Sequence, residues 1–398
     1  ASHVAMGAMG LAAFQAAILA SRRQDGGPRL RGHSACRCEV RLWGPGGTRG
    51  RSLETLAAEA ASKPSWRPSP TDEVEDFVRR GPLYERLLLT CPAPPITEWM
   101  DKAKALAEQL RVPSMPDMED QMSKRIYHLY LPLYFWMRHQ SLEVRSSRSS
   151  PGAVVFGISA PQGFGKTTAM NLLEELFKAD GFSFQAISID DFYLPATWQE
   201  EVANVYANNA LMQTRGNAGT HDVQLGTQTI KALKSADEAE VLVPHFDKSA
   251  RSGRGDQVPK HSWTPVHTPC DVVVLEGWML GFKPCDSQVA ANVHPDLRLV
   301  NEKLKRYQAW DDLIDCFCVF AMEEIDQVYS WRSQAEDAMK RSGRGGMSQE
   351  EVKDFVDRYM PAYFAYRPGL YASASQEGVD GKPSWLCHVG RDRLPIYK

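Results

Sequence analysis

Four stretches of the chain are apolar almost without interruption and far shorter than a membrane span: residues 153–158 (AVVFGI), 184–189 (FQAISI), 271–277 (DVVVLEG) and 315–322 (DCFCVFAM). Short continuous runs rich in Val and Ile, unlike alternating ones, predict strands covered on both faces, as in a parallel sheet. Residues 240–243 predict a short strand, and 385–389 a last one. Between them the apolar positions recur at helical spacing. Residues 72–89 predict a helix through Val74, Phe77, Val78, Leu83, Leu87 and Leu88. Further helices are predicted over 96–110, 122–138, 167–178, 198–212, 222–234 and 323–340. Asp222 is placed to cap its helix, and Ser348 opens a capping-box-like SQEE start to a helix ending near 359. The aromatic stripe Tyr127, Tyr130, Tyr134, Phe135 and Trp136 reads as packing, and 146–152 (SSRSSPG) as a linker. Strands alternating with helices predict a three-layer α/β domain with a mostly parallel central sheet and helices on both faces. The helices of 61–150 form an N-terminal segment packing on a core of 151–398, with a lid region near 323–346.

The first predicted strand runs directly into Ala160-Pro-Gln-Gly-Phe-Gly-Lys-Thr-Thr168 and then into a helix. Strand, glycine turn, lysine, hydroxyl and helix are the order a phosphate-binding loop requires, and they identify a P-loop NTPase fold. Gly163 and Gly165 let backbone N–H groups turn toward phosphate oxygens, and the helix N-terminus adds partial positive charge. Lys166 is placed for the β- and γ-phosphates, and the Thr167 hydroxyl for Mg²⁺. The pattern usually opens with Gly where this chain has Ala160. A bare glycine turn is the bland alternative.

Two other strands end in acids. Asp190 and Asp191 close the second, where ligands of open α/β sheets sit. Glu276 closes the third, as a metal-holding acid does in nucleotide sites. Solvated acids in a turn are the alternative for the pair. A basic stretch, 250–260, carries Arg251, Arg254 and Lys260 and reads as a mobile loop. Helix 323–340 carries Arg332, and Lys340, Arg341 and a glycine-rich hinge at 343–346 follow, a lid poised over phosphates.

Composition narrows the picture. Net charge is −3 over 398 residues, so no basic field points to nucleic acid. No run approaches the roughly 20 apolar residues of a membrane helix. Eight cysteines make no disulfide framework. Cys36-x-Cys38 and Cys316-x-Cys318 are too closely spaced for ordinary zinc sites. Cys316 and Cys318 read as core, with a redox switch as the sharper alternative. The first 50 residues hold seven arginines, no lysine and two acids, Asp25 and Glu39. That bias predicts a disordered extension over 1–60 resembling an organelle transit peptide, with a plain tail as the alternative.

Ile189-Asp-Asp-Phe-Tyr193, Arg215-Gly-x-x-Gly-Thr-His-Asp222, Phe246-Asp-Lys-Ser249, Leu275-Glu-Gly-Trp278, Gly346-Met-Ser-Gln-Glu and Phe355-Val-Asp-x-Tyr-Met-Pro361 occur in that order. Together they resemble the D-glycerate 3-kinase family of plants and fungi over about 71–398, within a wider group of phosphoribulokinase, uridine kinase and pantothenate kinase. The resemblance implies transfer of a phosphoryl group from MgATP to the 3-hydroxyl of D-glycerate. It implies Asp190 as the base, with Asp191 supporting it or linked to Mg²⁺, and makes Lys166 and Arg332 catalytic. Asp191, Tyr193, Arg215, His221, Asp247, Lys248 and Arg251 then fall to the substrate, whose carboxylate needs a cation from among Arg215, Lys248 and Arg251. A lone His221 or His245 is more often structural. Plant-type members imply a chloroplast address and photorespiratory carbon recovery, while mitochondrion and cytoplasm stay open. A sister kinase for pantothenate or uridine is the first rival. A nucleotide-dependent switch is the second, although the chain has no Asn-Lys-x-Asp guanine motif. Neither nucleic acid nor a membrane is expected as a partner, and the oligomeric state stays open.

Overall fold

The computed structural model describes residues 70–397 apart from 114–116, 118, 150, 236, 238, 252 and 342–346. The arginine-rich first 60 residues, with Cys36 and Cys38, and the glycine hinge 343–346 lie outside the described residues.

The apolar runs become one five-stranded parallel sheet. Its strands are β1 (Val154–Ser159), β2 (Phe184–Ser188), β7 (Val272–Gly277), β8 (Cys316–Met322) and β9 (Ser384–Val389), in the order β2-β7-β1-β8-β9. Every residue of β1 and of β8 is buried, which is why neither strand alternates with polar positions. Cys316 and Cys318 lie inside β8, and burial pushes both thiols far above the usual range. A protonated thiol without access is a poor redox partner, so the core reading holds and the switch reading falls. The remaining strands form two small antiparallel pairs beside the sheet. β3 (Glu240–Val243) pairs with β6 (Thr264–His267), and β4 (Phe246–Asp247) pairs with β5 (Asp256–Gln257).

The helices before the sheet are α1 (Pro70–Arg79), α2 (Tyr84–Thr90), α3 (Ile96–Leu110), α4 (Gln121–Arg125) and α5 (Leu131–Ser147), the last two joined by a π-turn, Ile126–Tyr130. The single helix expected over 72–89 breaks at Gly81-Pro82, where proline supplies no N–H and disfavours helical geometry before it. The aromatic stripe packs onto the sheet. Trp136 sits 6.0 Å from Phe156 of β1 and 5.6 Å from Trp385 of β9, centroid to centroid. Tyr134 meets Phe177 at 5.1 Å. Fully buried tryptophans of this kind typically hold about 3–5 kcal/mol each against truncation.

After β1 come α6 (Lys166–Ala179), α7 (Ala196–Val205) and α8 (Val223–Lys234), and Asp222 caps α8 by accepting from Leu225 N at 2.9 Å. The helix expected over 198–212 stops early. Asn209 instead caps a 3₁₀ turn, Ala210–Met212, through its side-chain oxygen. Three short helices follow β7: α9 (Ser287–Val293), α10 (Leu297–Leu304) and α11 (Gln308–Asp311). Beyond β8 run α12 (Gln327–Arg341), α13 (Gln349–Asp357) and α14 (Met360–Ser375). Ser348 and Glu351 form the expected capping box at α13.

Candidate active site

Three strand ends meet at the carboxyl edge of the sheet. In register, Ile158 of β1 faces Glu276 of β7, and Glu276 also faces Ser188 of β2. Strand pairing alone therefore brings the phosphate loop, Glu276 and the Asp190–Asp191 turn side by side.

The loop leaves β1 at Ala160, whose N–H donates to Gly277 O at 3.0 Å. Ala160 is buried and its φ is not positive. A methyl group is tolerated there without strain, which accounts for the departure from glycine. Gly163 and Gly165 do adopt left-handed backbone, at φ 75° and 104°. Phe164 turns away from the loop into the core, 4.6 Å from Phe320. Gln162 accepts from the Tyr363 hydroxyl at 3.0 Å. Thr167 and Thr168 lie exposed on the first turn of α6. The ammonium of Lys166 lies across the loop, donating to Ala160 O at 3.0 Å and Pro161 O at 3.2 Å. Burial lowers that ammonium, opposed by the carboxylates of Glu276 and Asp190.

The acids divide into distinct roles. Asp191 is turned back on its own backbone. It accepts from Ser188 N at 3.1 Å, while Ser188 Oγ accepts from Asp190 N, so the pair caps the 3₁₀ turn Ile189–Phe192. His245 Nδ1 stands 3.3 Å from it. Asp190 instead pairs with Lys248 Nζ at 2.6 Å. Burial by itself would raise the Asp190 carboxyl, but Lys248, Lys166 and the Tyr193 hydroxyl hold it down at about 2. Glu276 is mostly shielded, with 13% of its side chain exposed, and its loss of solvent raises its carboxyl. Its Oε2 has no hydrogen-bond partner among the described residues, with Lys166 Nζ 3.9 Å away. A buried carboxylate oxygen left open beside the Thr167 turn fits a divalent cation. No cluster of three or more His, Cys, Asp or Glu side chains among the described residues would hold a metal unaided. Phosphate oxygens and water would complete the shell.

The cations separate as well. Arg215 donates to the backbone carbonyls of Gly253, at 3.1 Å, and Arg254, and lies 5.4 Å over Phe246. No acid pairs with it among the described residues. Arg251 is committed to Asp256, Nε to Oδ2 2.8 Å, with Glu200 at 3.9 Å, so the structure does not bring it to Asp190. Asp247 also stands apart, accepting from Ser249 N and Oγ within its own turn. His221 is nearly inaccessible. It stacks on Tyr193 at 4.4 Å and meets the Tyr307 hydroxyl at 2.7 Å. Burial drops its imidazole to about 3, so it is neutral and braces Tyr193 from behind. Arg332 on α12 pairs with the buried Glu336 and lies 4.8 Å over Phe355. Its charge reaches Lys166, and its Nε has no partner among the described residues. Arg341 is exposed at the end of α12.

Several site residues carried no assigned role in the sequence. Trp278 donates to Gly216 O at 3.2 Å and meets Tyr359 edge-on at 4.9 Å. Gly216, at φ 142°, would place a Cβ 2.5 Å from the Tyr359 hydroxyl. Tyr359 in turn lies within the fields of Asp190, Arg215 and Arg332. These residues stand inside the quoted motifs, but sequence spacing does not say that they meet.

No family model matches the chain. It is 39% identical over 337 residues to "D-glycerate 3-kinase, chloroplastic" of Arabidopsis thaliana, an alignment spanning 82% of this chain and 73% of that protein. A "Probable ATP-dependent kinase TDA10" of Saccharomyces cerevisiae is 36% identical over 54% of this chain and 79% of its own length. Among solved structures, a D-glycerate 3-kinase from Cryptococcus neoformans superposes with a TM-score of 0.60 at 29% identity, covering 67% of this chain and 97% of that one. With a phosphate loop, a paired aspartate and a mostly shielded glutamate converging on one sheet edge, and with likeness to the plant enzyme over most of this chain, the chain belongs to the D-glycerate 3-kinase family.

Proposed function

We propose that this chain moves the γ-phosphoryl group of ATP to the 3-hydroxyl of D-glycerate, giving 3-phosphoglycerate and ADP. The observation that carries the reading is Asp190. It is a carboxylate held ionised by Lys248 one strand-turn from the phosphate loop, where an acceptor hydroxyl would stand. Lys166 and the N-terminal turn of α6 take the β- and γ-oxygens. Thr167 and Glu276 would hold Mg²⁺, which when bound supplies charge neutralisation on those oxygens. Arg332 faces the same charge from α12. Phosphoryl transfer has a loose transition state, so alignment and neutralisation carry most of the catalysis. Asp190 orients the hydroxyl and takes its proton late. Arg215 has no acid partner among the described residues and is the best-placed cation for the glycerate carboxylate, with Lys248 beside the hydroxyl. Tyr193, whose hydroxyl bonds Asp190, is assigned to the substrate side.

Two expected results test this. ADP release with MgATP should appear with D-glycerate and stay at background with L-glycerate, uridine and pantothenate. ADP with pantothenate or uridine instead would transfer the site to a sister kinase, and none with any acceptor would favour a switch. Lys248→Met should also move the acid limb of kcat/KM. Asp190 has a depressed folded pKa, so its ionised, active form is present above that value and lost below it. Without Lys248, burial dominates, and the acid limb should rise by about one to three pH units. An unmoved acid limb would remove Lys248 from this role.

The arginine-rich, acid-poor first 50 residues and the chloroplast address of the plant relative support a plastid location and a photorespiratory role. No helix among the described residues is long and apolar enough to cross a membrane. Import of residues 1–60 fused to a fluorescent protein would test the address.

A further inference from the structure

The segment after β9 does not trail away from the domain. Gly390 N donates to Leu394 O and Arg393 N to Gly390 O, both at 3.0 Å, so the chain folds back into a tight turn. Arg393 at its tip has φ 62°, left-handed backbone that a long side chain adopts only when its surroundings insist.

Those surroundings are the phosphate loop and the helix above it. Arg393 Nε donates to Gly163 O at 2.9 Å, Nη1 to Gln334 Oε1 at 2.7 Å, and Nη2 to Trp331 O at 3.4 Å. The guanidinium also lies 5.3 Å over the Trp331 ring. A rigid fork of five donors can serve three acceptors from two elements at once, which an ammonium on a flexible stem cannot do as well. The neighbouring residue reinforces the grip, since Trp331 Nε1 donates to Arg391 O at 2.8 Å. Loop and helix are already as close as backbone allows. A Cβ on Gly163 would stand 2.6 Å from the Trp331 carbonyl carbon.

We infer that Arg393 is a positioning residue for the nucleotide site, fixing the Gly163 peptide of the phosphate loop against α12 and so setting Arg332, the residue after Trp331, over the phosphates. Gly163 is one of the loop's two flexible points, with Gly165. Its carbonyl oxygen, once released, is free to rotate toward the loop interior, where an acceptor repels phosphate oxygens. The tie to Arg393 holds that oxygen on the helix side. Arg393 therefore serves nucleotide binding without touching the acceptor substrate.

The inference rests on the phosphoryl-transfer reading only for its turnover measurements; nucleotide binding tests it independently of any acceptor. Arg393→Gly removes the side chain while relieving the left-handed backbone. In the full chain it should weaken a fluorescent ADP analogue, titrated with Mg²⁺, by about tenfold or more, the worth of a charge-assisted hydrogen bond. KM for ATP should rise in parallel, KM for D-glycerate should hold, and the melting temperature should stay within a few degrees. Millimolar guanidinium should restore part of the lost affinity. An ADP affinity within twofold of the parent would overturn the inference. So would a loss in which D-glycerate KM rises while the melting temperature falls by more than a few degrees, the mark of a tail that only holds the fold. If Arg393→Gly does not fold, Arg393→Lys decides. It should show an intermediate loss of ADP affinity, and parental affinity there would overturn the inference equally. Failure of the D-glycerate panel with weakened ADP binding would count against the substrate and leave this positioning intact.

Discussion

Lys166→Ala should lower turnover by on the order of a thousandfold or more while the protein still folds. Charged clamps on a transferring phosphoryl group contribute on this scale, because they neutralise charge that grows toward the transition state. Lys166 is placed for that work: its ammonium spans the loop, bonded to the Ala160 and Pro161 carbonyls, with only 15% of its side chain exposed. Little of the fold depends on it. The residue begins α6, and alanine is the best helix former. Removing the ammonium also removes the cost of burying it, offset by leaving Glu276 without its neighbouring cation. Burial already raises the Glu276 carboxyl, so that acid can take a proton instead. The melting temperature should therefore change by a few degrees only. ADP release measured beside a thermal melt checks both halves, and near-normal turnover would sink the phosphate-loop assignment.

What the sequence disclosed, it disclosed through short-range pattern. The sheet was legible because a parallel sheet covered on both faces writes itself as unbroken apolar runs, and β1, β7 and β8 do so. The phosphate loop was legible because strand, glycines and lysine are contiguous. The two capping signals were legible because a cap spans only three residues. Where local signals mislead, the reading failed. The sequence pattern assigns no element to α14, whose Pro361 and Pro368 blur the helical signal; Pro361 sits in the first turn, where its missing N–H costs nothing, and the helix carries Pro368 in its interior. The extended helix through 198–212 ignored two asparagines at 208 and 209, one of which caps a separate turn.

The functional cations show a deeper limit. Arg215, Lys248 and Arg251 look equivalent in sequence. Only the folded chain spends Arg251 on Asp256, sets Lys248 on Asp190 and leaves Arg215 without an acid among the described residues. His221, grouped with the substrate, proved a buried brace for Tyr193. Arg393 lies 230 residues from the glycine it holds, and no local pattern could announce it.

Asp190→Asn should lower kcat by about 10²–10⁴-fold, the span of general-base contributions, with KM for ATP little changed. Asparagine has nearly the same shape. It still offers an oxygen to the Tyr193 hydroxyl, but it can neither take a proton nor balance Lys248. The same substitution at Asp191 separates the two acids. Asp191 caps the 3₁₀ turn through Ser188 N and is placed to support Asp190, not to meet the acceptor. Asp191→Asn should therefore cost at most about a cap's worth of stability, roughly 0.5–2 kcal/mol, and should leave most of kcat. Steady-state kinetics on both variants, with thermal melts, distinguish the roles. If Asp191→Asn lost the rate and Asp190→Asn kept it, the base would be the wrong member of the pair. If both kept it, proton acceptance would contribute little here, and the rate would rest on the loop, Lys166 and Arg332.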